Sequence, residues 1–145
     1  MKPVQFSLPL RRETILGKSS SLSPAHVSPL KNSIDFFCEL ETPVYAAADG
    51  LVIDCKFDGA RAGKTKVAEP WGNFVEVRHR DDTYSEYEHL AFSAYPLVKI
   101  GDYVKRGQLI AYTGATGWLA GLKPHLHFMV GKYNYSMVRI AWKDH

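Results

Sequence analysis

Short runs of alternating apolar and polar residues, separated by turn-forming residues, occupy the chain from Ser33 onward. Such runs predict β-strands, because successive side chains of a strand point to opposite faces of a sheet. No window of helical length carries apolar residues at the i, i+3, i+4, i+7 spacing of an amphipathic helix. The pattern therefore predicts an all-β domain of mainly antiparallel sheets. The predicted strands are Pro43–Ala47, Leu51–Cys55, Asn73–His79, Thr83–His89, Gln108–Thr113 and His125–Val130.

The beginning of the chain has a different character. Residues 1–30 are rich in proline and serine, which predicts an irregular arm with turns rather than a regular element. We therefore divide the chain into an irregular N-terminal arm over residues 1–25 and a single domain over residues 26–145. Within that domain, Asp58–Pro70 is a long stretch of low hydrophobicity, and it predicts a loop bordering a site.

Composition narrows the possible classes of protein. The 145 residues are 46% hydrophobic and 23% charged, as is usual for one globular domain. The formal net charge of +3 comes from scattered basic residues and does not predict a nucleic-acid partner. No stretch approaches 18 consecutive apolar residues, so no membrane span is predicted.

Cysteine usage and the N-terminus bear on where the protein acts. Cys38 and Cys55 are too few for a secreted disulfide framework, and we expect buried free thiols, although one bridge is possible if their strands pair. The first twelve residues lack the continuous apolar core of a Sec-type signal. The chain as written is thus expected in the cytoplasm, or in the cell envelope if another route exports it.

Two histidines in His125-Leu126-His127 are the main candidates for chemistry. On an extended segment they project from one face, with Cβ atoms roughly 7 Å apart. This spacing lets one ring bind a metal while the other reaches a water on that metal. Asp35 lies in an otherwise apolar run, and a buried carboxylate needs a cation or several donors. A salt bridge or a zinc ion would both satisfy Asp35, and the additional histidines favour zinc.

The other histidines differ in how strongly the sequence supports a functional role for them. Strand alternation would place Ser85, Tyr87 and His89 on one face. Tyr87 could support His89, although packing in the sheet is the commoner task of a tyrosine. His79 precedes a turn and is expected to be structural or solvated, and His145, the last residue, to be incidental.

Collinear motifs across residues 26–130 resemble the lysostaphin/LytM-type zinc metallopeptidases, which are peptidoglycan endopeptidases with a duplicated hybrid motif, a β fold of the barrel-sandwich hybrid type. A run of separate matches is far more specific than one short motif. The matching segments are Ile34–Phe36, Thr42–Val52, Trp71–Val75, Tyr87–Leu90, Val98–Ile110, Thr113–Gly117 and His125–Phe128.

The resemblance implies roles for particular residues. Asp35 and His127 would bind one Zn²⁺ per chain, and His89 and His125 would be the catalytic pair. The commonest family pattern has a third ligand, a histidine, four residues before the Asp, where this chain has Lys31. Because a lysine ammonium has no free lone pair, we predict that His26, further upstream, is the third ligand.

A smaller departure is Glu41, where family members usually have glycine; it suggests a different turn at that point.

The resemblance also implies a function, a zinc-dependent endopeptidase that hydrolyses peptide bonds in peptidoglycan cross-links or stems, or in another peptide. Oligomeric state does not follow from it. Two alternatives stay open. A non-catalytic relative would bind peptidoglycan or activate a partner hydrolase. Val98–Ile110 also resembles half of a biotinyl or lipoyl carrier domain, but the matching turn, Ala48–Gly50, displays no lysine for attachment.

Overall fold

A computed structural model describes residues 2–19, 33–60, 62–63, 67, 72–118, 123–132 and 140–143 of the chain. Regular structure within these ranges is almost entirely β, which confirms the predicted class; the exception is one turn of 3-10 helix at Arg12–Thr14. The strands are β1 (Gly17–Ser19), β2 (Ile34–Phe37), β3 (Pro43–Tyr45), β4 (Gly50–Lys56), β5 (Ala62–Gly63), β6 (Asn73–Arg78), β7 (Thr83–Leu90), β8 (Tyr103–Val104), β9 (Leu109–Tyr112), β10 (Gly117–Trp118) and β11 (His125–Lys132).

Seven of these strands form one sheet in the order β1-β2-β11-β7-β6-β4-β8, and every neighbouring pair in it is antiparallel. Strands β3 and β9 form a second antiparallel pair, whereas β5 and β10 pair in parallel. Strand β11, which carries the two histidines of His-x-His, therefore lies between β2 and β7. This order brings the segments around residues 35 and 89 to either side of it.

One face of the seven-stranded sheet packs into the core. Its side chains alternate with those of the opposite face, as the period of two requires. They join residues of β3 and β9 in a single hydrophobic cluster, which burial of apolar surface stabilises. The largest fully buried apolar or aromatic members are Tyr87, Phe6, Phe36, Phe128, Leu90, Ile110, Leu126, Val44, Val52, Val75 and Val77. The opposite face of β2, β11 and β7 is left to carry polar side chains.

The N-terminal segment is part of this packing. Val4, Phe6 and Leu10 are buried in the core cluster. Residues 17–19, which the sequence predicted to be irregular, form β1 by pairing with β2. Proline and serine content missed this strand because β1 is only three residues long and depends on its partner rather than on its own pattern.

The six predicted strands are all present, with ends that differ by one or two residues. Ile34–Phe37 forms a strand that the prediction did not delimit. Part of the predicted loop Asp58–Pro70 lies outside the described residues, and Ala62–Gly63 within it forms β5. Cys38 and Cys55 are free thiols, as expected, but only Cys38 is buried and Cys55 is half-buried. In the part of the chain that the structure describes, no helix has the length and apolar character to cross a bilayer.

Candidate active site

Asp35 and His127 lie opposite each other on the adjacent strands β2 and β11. Directly opposed residues of an antiparallel pair share a face, with Cβ atoms about 4.5–5.5 Å apart. Nδ1 of His127 lies 3.0 Å from Oδ1 of Asp35, and both side chains are buried. The sheet register thus brings a carboxylate oxygen and an imidazole nitrogen together at one point.

The electrostatic surroundings of His127 are acidic. Burial opposes a charge on the ring, but the carboxylate of Glu88, together with the hydrogen bond and charge of Asp35, raises the pKa of His127 above its ordinary value. A ring enclosed by two carboxylates therefore favours a positive charge at this point. Such an environment also suits a bound cation.

His125 lies on the same face of β11 as His127. Its Nδ1 is 2.7 Å from the carbonyl oxygen of Lys123, and because a carbonyl can only accept, Nδ1 carries the proton. Nε2 then points to the other side, 3.6 Å from Oδ1 of Asp35. The ring also packs edge-on against Phe37, with centroids 5.8 Å apart. His125 is thus fixed in orientation, with Nε2 facing the Asp35–His127 pair.

His89 joins this group through a β-bulge. Strand β6 pairs Phe74 with Glu88 and Asn73 with Leu90, so His89 is an extra residue between two paired positions. Its φ of 65° is left-handed, which is uncommon for a residue other than glycine and is typical of functional sites. Bulges re-aim side chains in this way. The ring of His89 consequently lies 4.8 Å from that of His125 and 5.9 Å from that of His127, measured between centroids.

The alternation that places His89 on the face of Tyr87 is therefore wrong at this one residue. Tyr87 stays on the core face, where its ring packs 5.2 Å from that of Phe128. Its hydroxyl accepts a hydrogen bond from the backbone N–H of Ala47. Tyr87 has a packing role and does not contact His89 through its hydroxyl.

His89 is held and kept neutral by its surroundings. Nδ1 donates to the carbonyl oxygen of Thr116 at 2.7 Å, which leaves Nε2 as the acceptor nitrogen. Burial, followed by the nearby His127 and His125, lowers the pKa of His89 to about 3. The ring is therefore uncharged at neutral pH.

The buried residue Asn73 anchors the loop that carries Thr116, through its backbone N–H and its side-chain amide. The backbone N–H of Asn73 donates to Oγ1 of Thr116 at 3.0 Å, and Oγ1 of Thr116 donates to the carbonyl of Leu90 at 2.8 Å. Nδ2 of Asn73 donates to the same carbonyl at 3.2 Å. The sequence analysis gave neither residue a role, although both lie in segments that carry the family resemblance.

Glu88 is a further residue that the sequence analysis missed. Its Oε2 lies 3.2 Å from Nε2 of His127, on the ring edge opposite Asp35. Alternation along β7 puts Glu88 on the face opposite to the one predicted for His89. His127 lies on that same opposite face of the sheet. Because of the bulge, Glu88 and His89 both reach the site although they are consecutive.

Not every residue discussed in the sequence analysis is seen at the site. His26, the predicted third ligand, together with Lys31 and His145, lies outside the described residues. His79 is buried but apart from the site, bonded to Asp49 and Ser85. Across the described ranges, no three or more His, Cys, Asp or Glu side chains form a group that could hold a metal ion. Of the three predicted ligands, Asp35 and His127 are in contact with each other, and His26 is not described.

Glu41, the position where the family usually has glycine, has a φ of 60°. The residue therefore adopts the left-handed conformation that glycine favours, with a side chain in place.

The chain is similar to solved structures of peptidases. A zinc-containing peptidase from Vibrio cholerae matches 93% of the chain with a TM-score of 0.66 and 32% identity, over 39% of its own length. The catalytic domain of lysostaphin from Staphylococcus simulans matches 84% of the chain with a TM-score of 0.58 and 28% identity, over 86% of that domain.

Sequence comparison leads to the same family. The profile described as peptidase family M23 matches residues 30–139, and the chain belongs to this family. Peptidoglycan DD-endopeptidase ShyC of Vibrio cholerae is 33% identical over 116 residues, 76% of this chain and 23% of its own length. Lysostaphin of Staphylococcus simulans is 35% identical over 106 residues, 71% of this chain and 19% of its own length. The chain thus spans about a quarter or less of these curated relatives.

Proposed function

We propose that this chain is a zinc-dependent endopeptidase that cleaves peptide bonds in peptidoglycan cross-links or stems. The observation that carries the proposal is the convergence of Asp35, His89, His125 and His127 from three strands. Burying four such groups together is costly unless their interactions compensate for lost hydration. A shared metal and a shared reaction account for the arrangement.

Asp35 and His127 are the proposed zinc ligands within the described residues, and His26 is the proposed third. Carboxylate oxygen and imidazole nitrogen are both zinc donors, and three protein ligands with one open position are typical of catalytic zinc. One Zn²⁺ per chain would occupy this site. When bound, zinc would supply Lewis-acid chemistry, activating a water molecule and polarising the scissile carbonyl.

His89 and His125 would handle the protons. Each ring donates Nδ1–H to a backbone carbonyl, so each has Nε2 available as a proton acceptor. One ring would act as general base and take a proton from water at Nε2. The other would stabilise the tetrahedral oxyanion or protonate the leaving amine, which requires that its own Nε2 first take up a proton. Fixed backbone partners keep both rings in one tautomer and orientation, which removes part of the cost of ordering them.

The proposed substrate follows from the relatives. ShyC is named a peptidoglycan DD-endopeptidase, and a relative from Staphylococcus capitis, 37% identical over 97 residues, is named a glycyl-glycine endopeptidase. A binding-only relative that activates a partner hydrolase is the competing function. Four of the five positions of the family pattern match directly, as Asp35, His89, His125 and His127, and this supports the enzyme, although Lys31 stands at the fifth.

The experiment compares His127→Ala with His125→Ala. Zinc content is measured by mass spectrometry after purification without chelators, and hydrolysis is measured on purified peptidoglycan. We expect His127→Ala to lose zinc, and His125→Ala to keep zinc but lose turnover. Hydrolysis by a zinc-loaded His125→Ala protein would remove that residue from the mechanism. A wild-type protein that holds zinc and binds peptidoglycan without cleaving it would establish the binding-only function.

The third ligand is tested separately by His26→Ala. We expect weaker zinc binding, because two donors hold the metal less tightly than three. Unchanged zinc stoichiometry and affinity would show that the third ligand is another residue.

A further inference from the structure

We propose that Glu88 is a positioning residue that holds the ring of His127 in the tautomer and orientation required for metal binding. This inference rests on the proposed function, because it assigns a second partner to one of the proposed zinc ligands. It concerns the side of the His127 ring that faces away from Asp35.

The geometry places His127 between two carboxylates. Glu88 is the register partner of His127 on β7, just as Asp35 is its register partner on β2. Nδ1 lies 3.0 Å from Oδ1 of Asp35 in a hydrogen bond, whereas Nε2 lies 3.2 Å from Oε2 of Glu88 in an ion-pair contact that lacks hydrogen-bond geometry in this structure. Each ring nitrogen therefore has its own carboxylate on its own neighbouring strand.

The chemistry of imidazole gives the two contacts different meanings. A neutral ring has one N–H and one lone pair, and only the nitrogen with the lone pair can bind a metal. If Nδ1 is the ligating atom beside Asp35, the proton must be on Nε2, where the carboxylate of Glu88, 3.2 Å away, would accept it. Carboxylates that accept the second N–H of a ligating histidine fix its tautomer and raise its basicity.

Burial makes this contact effective. The His127 side chain is only 4% exposed, whereas that of Glu88 is 30% exposed, so the carboxylate reaches water while its partner does not. A hydrogen bond to a charged acceptor is stronger than one between neutral groups. The bulge at His89 allows this arrangement, since it places the side chain of Glu88 beside His127 and the ring of His89 beside that of His125.

The experiment compares two substitutions at position 88 with one at position 86. Glu88→Met removes the acceptor at similar length, whereas Glu88→Gln removes the charge but keeps an oxygen that can accept from Nε2. Glu86→Met is the matched control: Glu86 lies on the same face of the same strand, and its register partners are Met129 and Glu76 rather than His127. Zinc affinity is measured by competition with a chromophoric chelator, and metal-free thermal unfolding is measured for every variant.

We expect Glu88→Met to weaken zinc binding by about 10- to 100-fold, as is typical for loss of such a partner. Glu88→Gln should recover a large part of that loss, and Glu86→Met should stay within a few-fold of wild type. A merely structural or long-range charge effect would instead make Gln and Met at position 88 equally weak, or make position 86 match position 88, and either result would overturn the proposal.

The outcomes also separate this inference from the proposed function. If the wild-type protein binds zinc and cleaves peptidoglycan while all three variants bind zinc equally tightly, only the role of Glu88 falls. If wild type binds no zinc, the proposed function and this inference both fall. If the wild-type protein has no hydrolytic activity but Glu88→Met loses zinc affinity as expected, the positioning role of Glu88 stands and the endopeptidase function does not.

Discussion

Replacing His79 with asparagine should make the stability of the domain less sensitive to mild acid. His79 is buried and donates through Nδ1 to the carbonyl oxygen of Asp49, 2.7 Å away. Nε2 must then accept from the hydroxyl of Ser85, 2.9 Å away. Oγ of Ser85 is 3.0 Å from the hydroxyl of Tyr87, which accepts in turn from the N–H of Ala47. Every donor and acceptor in this series of hydrogen bonds has a partner when His79 is neutral.

Protonation of His79 would break this series of hydrogen bonds, because a protonated Nε2 cannot accept from the hydroxyl of Ser85. Burial is the main cause that lowers the pKa of His79 below its ordinary 6.5. The unfolded chain therefore takes up a proton near pH 6.5 that the folded protein does not, and stability falls as the pH drops below that value. The free energy of unfolding falls by about 1.4 kcal/mol for each pH unit over which the unfolded chain holds this proton and the folded protein does not, so the loss through His79 between pH 7.5 and pH 5 is at most about 2 kcal/mol.

The assay is urea unfolding followed by tryptophan fluorescence at several pH values between 7.5 and 5. Wild type should be more stable than His79→Asn at pH 7.5, and the difference should shrink by up to about 2 kcal/mol as the pH falls. Titrations of the other groups are common to both proteins and cancel in the difference.

Tyr87→Phe is the control. It should cost about 1–3 kcal/mol at every pH, because it leaves the buried N–H of Ala47 without its acceptor. It keeps His79, so its pH dependence should follow that of wild type. Parallel curves for wild type and His79→Asn would refute the reasoning.

Three further changes test the site and the core. Gly117→Ala would place a Cβ 2.7 Å from the backbone of Gly72 and shift the Thr116 carbonyl that holds His89, so we expect zinc to be retained and turnover on peptidoglycan to fall. Gly107→Ala has the same φ of 82° with open space around it; equal turnover in the two variants would contradict this role of the loop. Glu41→Gly should raise the free energy of unfolding in urea by about 0.5–1 kcal/mol, because a left-handed residue gains from losing its Cβ; a less stable variant would show that the side chain compensates for the strain. Phe128→Ala should lower the free energy of unfolding by about 3–5 kcal/mol, because it opens a cavity in the fully buried core. A loss below about 1 kcal/mol would mean that the neighbouring side chains collapse into the space.

Much of the fold and part of the site follow from periodicity. Alternation predicted the six strands, and it also placed His125 and His127 on one side of β11. Asp35 could be recognised as unusual because it is a charge within an apolar run. What no local pattern contains is that β2 and β7 lie on either side of β11, since strand order depends on long-range pairing.

The positions of His89 and Glu88 in the site both depend on pairing between strands, which local alternation does not show. A single extra residue at position 89 turns its side chain to the other face, and that bulge is visible only in the pairing with β6. Glu88 gains its partner from the register with β11. His79, predicted to be structural or solvated, is structural, and its burial is possible because Asp49 and Ser85 satisfy both of its nitrogens. None of these partners is close enough in sequence to form a recognisable motif.

A crystal structure of the zinc-loaded protein, with anomalous scattering measured at the zinc edge, tests the central claim most directly. The account predicts one anomalous peak per chain, bonded to the carboxylate of Asp35 and to Nδ1 of His127, with the imidazole of His26 as the third protein donor. A peak at any other position, or no peak in a protein that still cleaves peptidoglycan, would contradict it.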